Sequence, residues 1–266
     1  MTGILNISKV KKMKVILLAG GYGTRLSELT GDVPKPMVPI GDLPIIMHIM
    51  DLYSRHGFSD FIIAAGYKSD YIKAFFSKLS ITKSDYTIDL ATGDITIHKS
   101  SPLDWKVTIV DTGLNTMTGG RLKRLKEYIA GESFMMTYGD GIANVNINDV
   151  IDLHHRQSKL LTMTAVRPPA RFGELIIEDD QVVKFEEKPQ LHDGWINGGF
   201  FVCENSVLDY ISGDNEMFER EPMEKLCRAL EITAYKHNGY WQCMDSKKDY
   251  DKLNELWNTG SAPWLE

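Results

Sequence analysis

A glycine-rich stretch near the start of the chain carries two cations ten positions apart and could bind a polyphosphate. Gly20, Gly21 and Gly23 allow a tight backbone turn whose amide groups face a ligand. Arg25 can donate to phosphate oxygens through its guanidinium fork, and Lys35 lies between two prolines whose backbone angles are restricted. These residue types and their spacing predict a nucleotide-phosphate site.

Two common nucleotide-binding motifs do not fit this stretch. It lacks the Gly-Lys-Ser/Thr ending of a P-loop, and residues 20–25 lack the third glycine of a dinucleotide fingerprint. The elements that must position the loop are a strand before it and a helix after it. Residues 15–19 are continuously apolar, which predicts a strand buried on both faces, and we expect a helix to begin near Thr24 and direct its positive end at the phosphates.

A second chemical candidate is Asp140, which lies between two glycines at the end of an apolar run over residues 134–138. A carboxylate with small neighbours at a strand end could hold a metal ion on the phosphates of a nucleotide. The alternative interpretation is an ordinary turn aspartate. Taken alone, the residues near Asp140 favour the turn aspartate.

The supporting elements alternate between strand and helix. A helical spacing of apolar residues over 44–56 is followed by a strand over 60–65 and an amphipathic helix around 71–79. This alternation predicts an α/β fold with a Rossmann-like, mostly parallel central sheet and helices on both faces. Later strands are expected over 106–111, 134–138, 160–166 and 196–203. Later helices are expected over 121–129, 206–211, 222–230 and 247–257.

Two segments alternate in polarity and interrupt this rhythm. Residues 84–101 and 174–186 are each interpreted as a β-hairpin inserted outside the main alternation. The chain is expected to form one domain over 13–266, divided into a half with the nucleotide motif at 13–146 and a second half at 147–266. Residues 1–12 are interpreted as a short basic leader, expected to be disordered, or as an additional oligomer contact.

Composition narrows the class of protein. The chain has 266 residues, 43% of them hydrophobic, and a formal net charge of -6. The acidic balance argues against general binding to nucleic acid or anionic membranes. Without an apolar run of about 18 residues or a signal-peptide core, the sequence predicts neither a membrane span nor export. A cytoplasmic enzyme is therefore expected.

Several separate motifs, in order along the chain, resemble the sugar-nucleotide pyrophosphorylases and, within them, the glucose-1-phosphate cytidylyltransferases. The motifs are Leu18-Ala19-Gly20-Gly21-Tyr22-Gly23-Thr24-Arg25-Leu26, Pro34-Lys35-Pro36, Val110-Asp111-Thr112-Gly113, Met117-Thr118-Gly119-Gly120-Arg121-Leu122-Lys123-Arg124, Thr137-Tyr138-Gly139-Asp140-Gly141, Glu187-Lys188-Pro189 and Ile196-Asn197-Gly198-Gly199-Phe200-Phe201.

The resemblance implies a glycosyltransferase-A-like nucleotidyltransferase fold and transfer of CMP from CTP to α-D-glucose 1-phosphate, with release of pyrophosphate. It implies Mg²⁺ as cofactor, held by Asp140 and Asp245, and catalytic roles for Arg25, Lys35 and Asp140. It also implies a homo-oligomer, a trimer-based hexamer. Two alternatives stay open: a uridylyl- or thymidylyltransferase of the same fold, and a non-catalytic regulatory subunit that binds sugar nucleotides.

The resemblance also assigns binding residues. The nucleotide is expected to contact Leu18, Ala19, Gly20, Gly21, Gly23, Thr24, Arg25, Lys35, Thr116, Gly120, Arg121 and Gly139. The sugar phosphate is expected to contact Glu187, Lys188, Asn197 and Gly198. We interpret Arg121, together with Thr116, as the reader of the base, because an arginine directed at O2 and N3 of cytosine would meet an N–H donor in uracil.

Overall fold

The computed structural model of the protein describes residues 13–100, 103–167, 174–178, 181–186 and 194–266. The strands are β1 (Lys14–Ala19), β2 (Pro39–Ile40), β3 (Leu43–Pro44), β4 (Asp60–Ala65), β5 (Ser84–Ile88), β6 (Ile95–Ser100), β7 (Lys106–Asp111), β8 (Phe134–Tyr138), β9 (Gly141–Ala143), β10 (Leu161–Val166), β11 (Glu174–Glu178), β12 (Gln181–Glu186), β13 (Ile196–Asn197), β14 (Phe201–Cys203), β15 (Ile232–His237) and β16 (Trp241–Cys243). The helices are α1 (Ser27–Thr30), α2 (Ile45–Arg55), α3 (Ser69–Thr82), α4 (Thr118–Arg124), α5 (Lys126–Ile129), α6 (Ile147–Gln157), α7 (Glu221–Arg228) and α8 (Lys247–Asn258).

Strand β1 lies inside the central sheet, and its side chains enter two different cores. Val15 and Leu17 belong to a cluster with the apolar side of α2, whereas Ile16 and Leu18 pack in a second cluster with Leu122 of α4. Successive side chains of a strand point to opposite faces, so the continuous apolar run is explained by burial on both sides. The predicted helices on both faces of the sheet are confirmed.

Among the described residues, eight strands form the central sheet: seven follow the order β13-β10-β14-β8-β1-β4-β7, and β15 pairs with β10. The pairs β1/β4, β1/β8, β4/β7 and β10/β15 are parallel, whereas β14 runs antiparallel to both β8 and β10. The α/β fold class with a mostly parallel sheet is thus confirmed. Pairing of β8 with β14 carries the sheet across residue 146, and the division into two halves there stays a prediction.

Four predicted elements are wrong in detail. The helix expected over 121–129 is divided into α4 and α5, and the helix expected over 206–211 is a 3₁₀ helix, Asn205–Tyr210. The helix expected near Thr24 is a three-residue 3₁₀ turn, Thr24–Leu26, followed by the single turn α1. Its dipole is correspondingly small, so the loop relies on its cations and amides. The strand expected over 196–203 is split into β13 and β14, because Gly199 and Phe200 have left-handed φ values of 78° and 51°.

Both predicted hairpins are present in the described part of the chain. Strands β5 and β6 pair antiparallel, as do β11 and β12. The β5–β6 hairpin exposes large apolar side chains, namely Tyr86, Ile88, Leu90, Ile95 and Ile97. The predicted leader over 1–12 lies outside the described residues. Within the described ranges, none of the helices has the length and apolar character needed to span a membrane.

Candidate active site

A cavity of about 480 Å³ opens where β1 and β8 end. Its lining includes thirteen of the residues predicted to bind the nucleotide or the metal: Leu18, Ala19, Gly20, Gly21, Gly23, Thr24, Arg25, Lys35, Thr116, Arg121, Gly139, Asp140 and Asp245. Parallel strands present their carboxyl ends at one edge of a sheet, which explains why motifs far apart in sequence meet here.

One end of the cavity holds a cluster of paired charges. Lys35 Nζ lies 2.6 Å from Asp140 Oδ2 and 2.6 Å from Asp245 Oδ1. Arg25 donates to the other oxygen of Asp245 at 2.8 Å, and its side chain is 79% exposed. We call this set of four residues the phosphate-end cluster. Its cations are held in place by carboxylates rather than by backbone groups.

The two carboxylates are brought together by a short ladder that sequence reasoning missed. Strand β9 pairs antiparallel with β16, with Gly141 opposite Cys243. The amide of Met244 then donates to the carbonyl of Asp140 at 2.9 Å, which places Asp245 beside it. Residues 241–245 carry too few alternating side chains to indicate a strand by themselves.

The C-terminal helix fixes the backbone of Asp245. Ser246 is the N-cap of α8, and the side chain of Asp249 accepts from the amides of Asp245 at 3.1 Å and Ser246 at 2.9 Å. This reciprocal capping arrangement satisfies amides that would otherwise lack partners at the helix start. The carboxylate of Asp245 is therefore left to face Lys35 and Arg25.

Lys35 is placed by the prolines on each side of it. Pro34 accepts from the amide of Met37 at 2.7 Å, closing the 3₁₀ turn Lys35–Met37. Pro36 packs so close to Gly139 that a Cβ there would lie 3.0 Å from its ring and 3.0 Å from the carbonyl oxygen of Leu18. Gly139 is thus required for close approach between β1, β8 and the lysine turn.

The electrostatics keep Lys35 and Asp245 ionised. Burial opposes the charge of Lys35, but Asp140 and Asp245 outweigh it and raise the pKa of Lys35 to about 12. Burial alone would raise the pKa of Asp245, yet the hydrogen bond and charge of Lys35, with the charge of Arg25, lower it. Both groups are charged at neutral pH.

The other end of the cavity is organised by Arg121, which is 4% exposed. Its two terminal nitrogens donate to five oxygens: Ala65 O at 3.2 Å, Thr112 Oγ1 at 2.8 Å, Gly113 O at 2.7 Å, Gly20 O at 2.9 Å and Leu114 O at 3.2 Å. A Cβ on Gly20 or on Gly66 would lie 2.2 Å from the guanidinium, so these glycines make room for it. We call this arrangement the Arg121 clamp.

The clamp bears on the predicted role of Arg121. Each terminal nitrogen already has at least as many acceptors as it has hydrogens. Reading of a base by Arg121 stays a prediction, and reading through the two terminal nitrogens requires exchange of at least one of these hydrogen bonds. The observed contacts join the glycine-rich loop to residues 113–114, which places both loops at the cavity.

A later segment covers the outside of the 116–121 loop. Met117 donates its amide to Asp214 O at 2.8 Å, and Gly119 donates to Glu216 O at 3.0 Å. A Cβ on Gly120 would lie 2.5 Å from the Cα atom of Asp214. Gly120, predicted to bind the nucleotide, therefore packs against residue 214 and does not line the cavity.

The sugar-side predictions are only partly within the described residues. Asn197 and Gly198 are not among the residues that line the cavity. Asn197 donates to the hydroxyl of Tyr138, a lining residue, at 3.2 Å, and Gly198 O accepts from Trp241 Nε1 at 2.8 Å. A Cβ on Gly198 would lie 2.6 Å from a methyl carbon of Val166. Glu187 and Lys188 lie outside the described residues.

Comparison with known proteins establishes the family. Residues 14–258 match the family model described as Nucleotidyl transferase. The chain belongs to this family. The glucose-1-phosphate cytidylyltransferase of Salmonella typhi is 48% identical over 253 residues, which cover 95% of this chain and 98% of the relative.

Solved structures agree. The crystal structure of HddC from Yersinia pseudotuberculosis complexed with GMP-PN has a TM-score of 0.67 and 25% identity, covering 92% of this chain and 99% of that one. An apo UDP-glucose pyrophosphorylase has a TM-score of 0.67 at 16% identity, covering 94% and 99%, and supports the fold alone. The predicted resemblance, fold and enzyme class are confirmed.

In this nucleotidyltransferase the phosphate-end cluster fits a divalent cation. Ligand atoms of Asp140, Asp245 and Cys243 lie within 4.8 Å of one another. Burial raises the pKa of the Cys243 thiol, so the two carboxylates are the hard, charged donors of the set. Two carboxylates that already share one ammonium group suit Mg²⁺, which commonly takes few protein ligands and completes its shell with phosphate and water.

Sequence reasoning missed several residues that line the cavity of this nucleotidyltransferase. They are Tyr22, Pro36, Leu114, Asn115, Met117, Thr118, Tyr138 and Met217. Tyr22, Pro36, Met117, Thr118 and Tyr138 lie inside the motifs themselves, so the sequence signal for them was present. Leu114 and Asn115 lie between two motifs and could have been found by including the positions beside them. Met217 belongs to the segment that covers the 116–121 loop, and no signal in the sequence predicts that contact.

Proposed function

We propose that the protein transfers CMP from CTP to α-D-glucose 1-phosphate, forming CDP-glucose and pyrophosphate. The observation that carries this proposal is the phosphate-end cluster, in which Arg25, Lys35, Asp140 and Asp245 converge at one end of a cavity large enough for a nucleotide. The choice of substrates is supported by the 48% identical Salmonella relative, which is named for this activity.

The reaction needs positioning and charge neutralisation. A phosphate oxygen of the sugar phosphate forms a bond to the α-phosphorus of CTP, and the bond from that phosphorus to the β-phosphate bridging oxygen breaks. The attacking oxygen is already ionised at neutral pH, so neither a protein nucleophile nor a general base is required. The electron pair of the broken bond leaves with pyrophosphate.

The cations of the cluster are suited to the charge that develops on the phosphates. Arg25, largely exposed, can turn from Asp245 to phosphate oxygens, and Lys35 can donate to the α-phosphate from its fixed position. Asp140 and Asp245 would hold Mg²⁺, which would neutralise phosphate charge when bound. Lys35 would thus act on the transferred group directly, and Asp140 would act on it through the Mg²⁺ ion that it holds.

The base and the sugar phosphate are assigned to two further sets of residues. We assign the base to the end of the cavity formed by Thr116 and the Arg121 clamp, and the sugar phosphate to Glu187, Lys188, Asn197 and Gly198. The last two lie beside the cavity, next to Tyr138 and Trp241. UTP or dTTP as the nucleotide is the alternative that this assignment must be tested against.

We also propose that the protein forms a homo-oligomer, a trimer-based hexamer, with the β5–β6 hairpin in a subunit contact. Leu90 is 86% exposed, and four further large apolar residues on the hairpin are 44–50% exposed. A contiguous exposed apolar surface favours contact with another protein surface. Light scattering should show an assembly that Leu90→Asp reduces in mass.

The test of the activity is pyrophosphate release by purified protein with Mg²⁺ and glucose 1-phosphate, comparing CTP, UTP, dTTP, ATP and GTP. Asp140→Asn should abolish release because it removes a charged ligand from the cluster. Asp152→Asn is the matched control, since Asp152 is exposed on α6. We expect CTP to lead and the control to match the unaltered protein.

Other outcomes would change the proposal in defined ways. If UTP or dTTP led, the fold and the metal site would stand, but cytidylyl transfer would be wrong. If CTP bound in an equilibrium titration and no nucleotide gave release, a regulatory role would replace catalysis.

A further inference from the structure

A chain of hydrogen bonds joins the sugar side of the cavity to the loop on its nucleotide side. Nδ2 of Asn197 donates to the hydroxyl of Tyr138 at 3.2 Å, and that hydroxyl donates to Oε1 of Glu219 at 2.8 Å. The second carboxylate oxygen of Glu219 accepts from the Thr118 hydroxyl at 2.5 Å. Thr118 begins α4, so one carboxylate holds both sides of the cavity wall.

The direction of each hydrogen bond in this chain is fixed. Both carboxylate oxygens of Glu219 accept, Oε1 from the Tyr138 hydroxyl and Oε2 from the Thr118 hydroxyl. Tyr138 is then free to accept from Asn197, whose Oδ1 accepts from the Gly199 amide at 2.9 Å. The amide of Asn197 consequently has one orientation, and the second hydrogen on its Nδ2 has no partner among the described residues.

Tyr138 is the middle residue of this series of hydrogen bonds, and it lies at the cavity. Tyr138 lines the cavity and comes two residues before Asp140. Its ring packs edge-on against Phe201 with centroids 5.8 Å apart, which limits its movement. Burial, together with the charge of Glu219, raises the pKa of Tyr138, so its hydroxyl keeps its proton at neutral pH.

We propose that Glu219 is a positioning residue for the sugar phosphate. Through Tyr138 it fixes the orientation of the Asn197 amide, whose remaining N–H donates to a hydroxyl oxygen of the sugar. This inference rests on the proposed function, because it assigns Asn197 to the sugar subsite. Since Glu219 also holds Thr118, the same carboxylate aligns the nucleotide loop with that subsite.

Glu219→Gln tests the donor and acceptor order of these hydrogen bonds, because it changes the shape of the side chain very little. A glutamine has one oxygen and one NH₂ group, so it accepts from one hydroxyl and donates to the other. When it donates to Tyr138, the tyrosine hydrogen turns toward Asn197 and opposes the amide N–H there. Tyr138→Phe removes the hydroxyl altogether and breaks the same link.

The measurements are kcat, the KM for glucose 1-phosphate and the Kd for CTP from an equilibrium titration. We expect Glu219→Gln and Tyr138→Phe each to raise the KM about five- to tenfold, which is the worth of one oriented hydrogen bond. The Kd for CTP should stay within about twofold. The double variant should show no more than the larger single effect, because both changes act on one chain.

Substrates that lack one hydroxyl give the sharper readout. The series of 2-, 3-, 4- and 6-deoxyglucose 1-phosphates should contain one member that the unaltered protein binds about tenfold more weakly. Both variants should lose that discrimination. Glu224→Gln is the matched control, because Glu224 is exposed and pairs with Arg228, one turn further along α7.

Each remaining outcome counts against the inference. Unchanged KM values in both variants would overturn it, as would an equal loss of CTP affinity accompanied by a lower thermal midpoint. If the unaltered protein releases no pyrophosphate, the proposed function fails and this inference fails with it. An active unaltered protein with unaffected variants overturns the role of Glu219 alone.

Discussion

The cationic side chains at the two ends of the cavity differ in their hydrogen-bond partners. At the phosphate end, Lys35 and Arg25 are bonded to the side chains of Asp140 and Asp245. At the other end, Arg121 is bonded to four backbone carbonyls and one threonine hydroxyl. Carboxylates can exchange a cation for a ligand, whereas buried carbonyls would be left unpaired.

This difference separates cations that are available for chemistry from one that supports the structure. A motif containing arginine does not reveal which kind it is, since Arg25 and Arg121 both follow closely after glycines. The partners decide the question. We therefore expect substitutions at the phosphate end to lower turnover first and substitutions in the Arg121 clamp to lower stability first.

The largest expected effect is at Lys35. Lys35→Met should lower the rate of pyrophosphate release by about a thousandfold, because it removes a positive charge facing the transferred group. Turnover and the thermal midpoint should be measured on the same preparation. Lys126→Met, an exposed lysine on α5, is the control. A loss of rate no greater than the loss of folded protein would contradict a catalytic role.

The next effect tests the clamp. Arg121→Met should lower the free energy of unfolding by about 3 kcal/mol, since several carbonyl oxygens lose their donor. Urea denaturation measures it. Arg124→Met is the comparison in the same helix: Arg124 pairs with Asp214 at the surface, and such pairs contribute little. Equal urea midpoints for Arg121→Met and Arg124→Met would contradict a structural role for the Arg121 clamp.

The pH dependence of unfolding should sharpen the comparison. The pKa of Lys35 is raised from 10.5 to about 12, so its contribution of about 2 kcal/mol is complete below pH 10.5 and lost as the pH rises toward 12. The pKa of Asp245 is lowered from 3.8, so its contribution is lost as the pH falls below that value. Denaturation midpoints across pH should show a stability difference from Lys35→Met that disappears above pH 12.

The smallest expected effect is at the link between the two ends. The Tyr22 hydroxyl donates to Asn115 Oδ1 at 2.7 Å, joining the glycine-rich loop to the loop at 113–117. This exposed bond should be worth little, so Tyr22→Phe should raise the KM for CTP about two- to threefold. If Tyr22→Phe instead lowered the rate of pyrophosphate release as much as Lys35→Met, closure of the two loops would limit turnover.

The sequence indicates much of the fold because its patterns are local. The apolar run before Gly20, the helical spacing after Pro44 and the two alternating hairpins all specify their own conformation. The strand break at Phe200 is different. A phenylalanine with a left-handed φ is held there by its surroundings, and no residue pattern predicts it.

The candidate site was predictable where a motif residue makes the contact. It was not predictable where distant segments meet. The pairing of β9 with β16 brings Asp140 to Asp245, and the packing of Asp214 on Gly120 gives that glycine a steric purpose. Both depend on tertiary contacts between segments whose own sequences are unremarkable.

The wide separation of the charged groups has a consequence for biosynthesis. Lys35 is 105 positions from Asp140 and 210 positions from Asp245. At roughly 5–20 residues per second, a ribosome adds Asp245 several seconds after Asp140. The growing chain therefore carries its glycine-rich loop for some time before α8 docks and brings Asp245 to Lys35 and Arg25. An unfinished chain is expected to lack the chemistry until the last helix is in place.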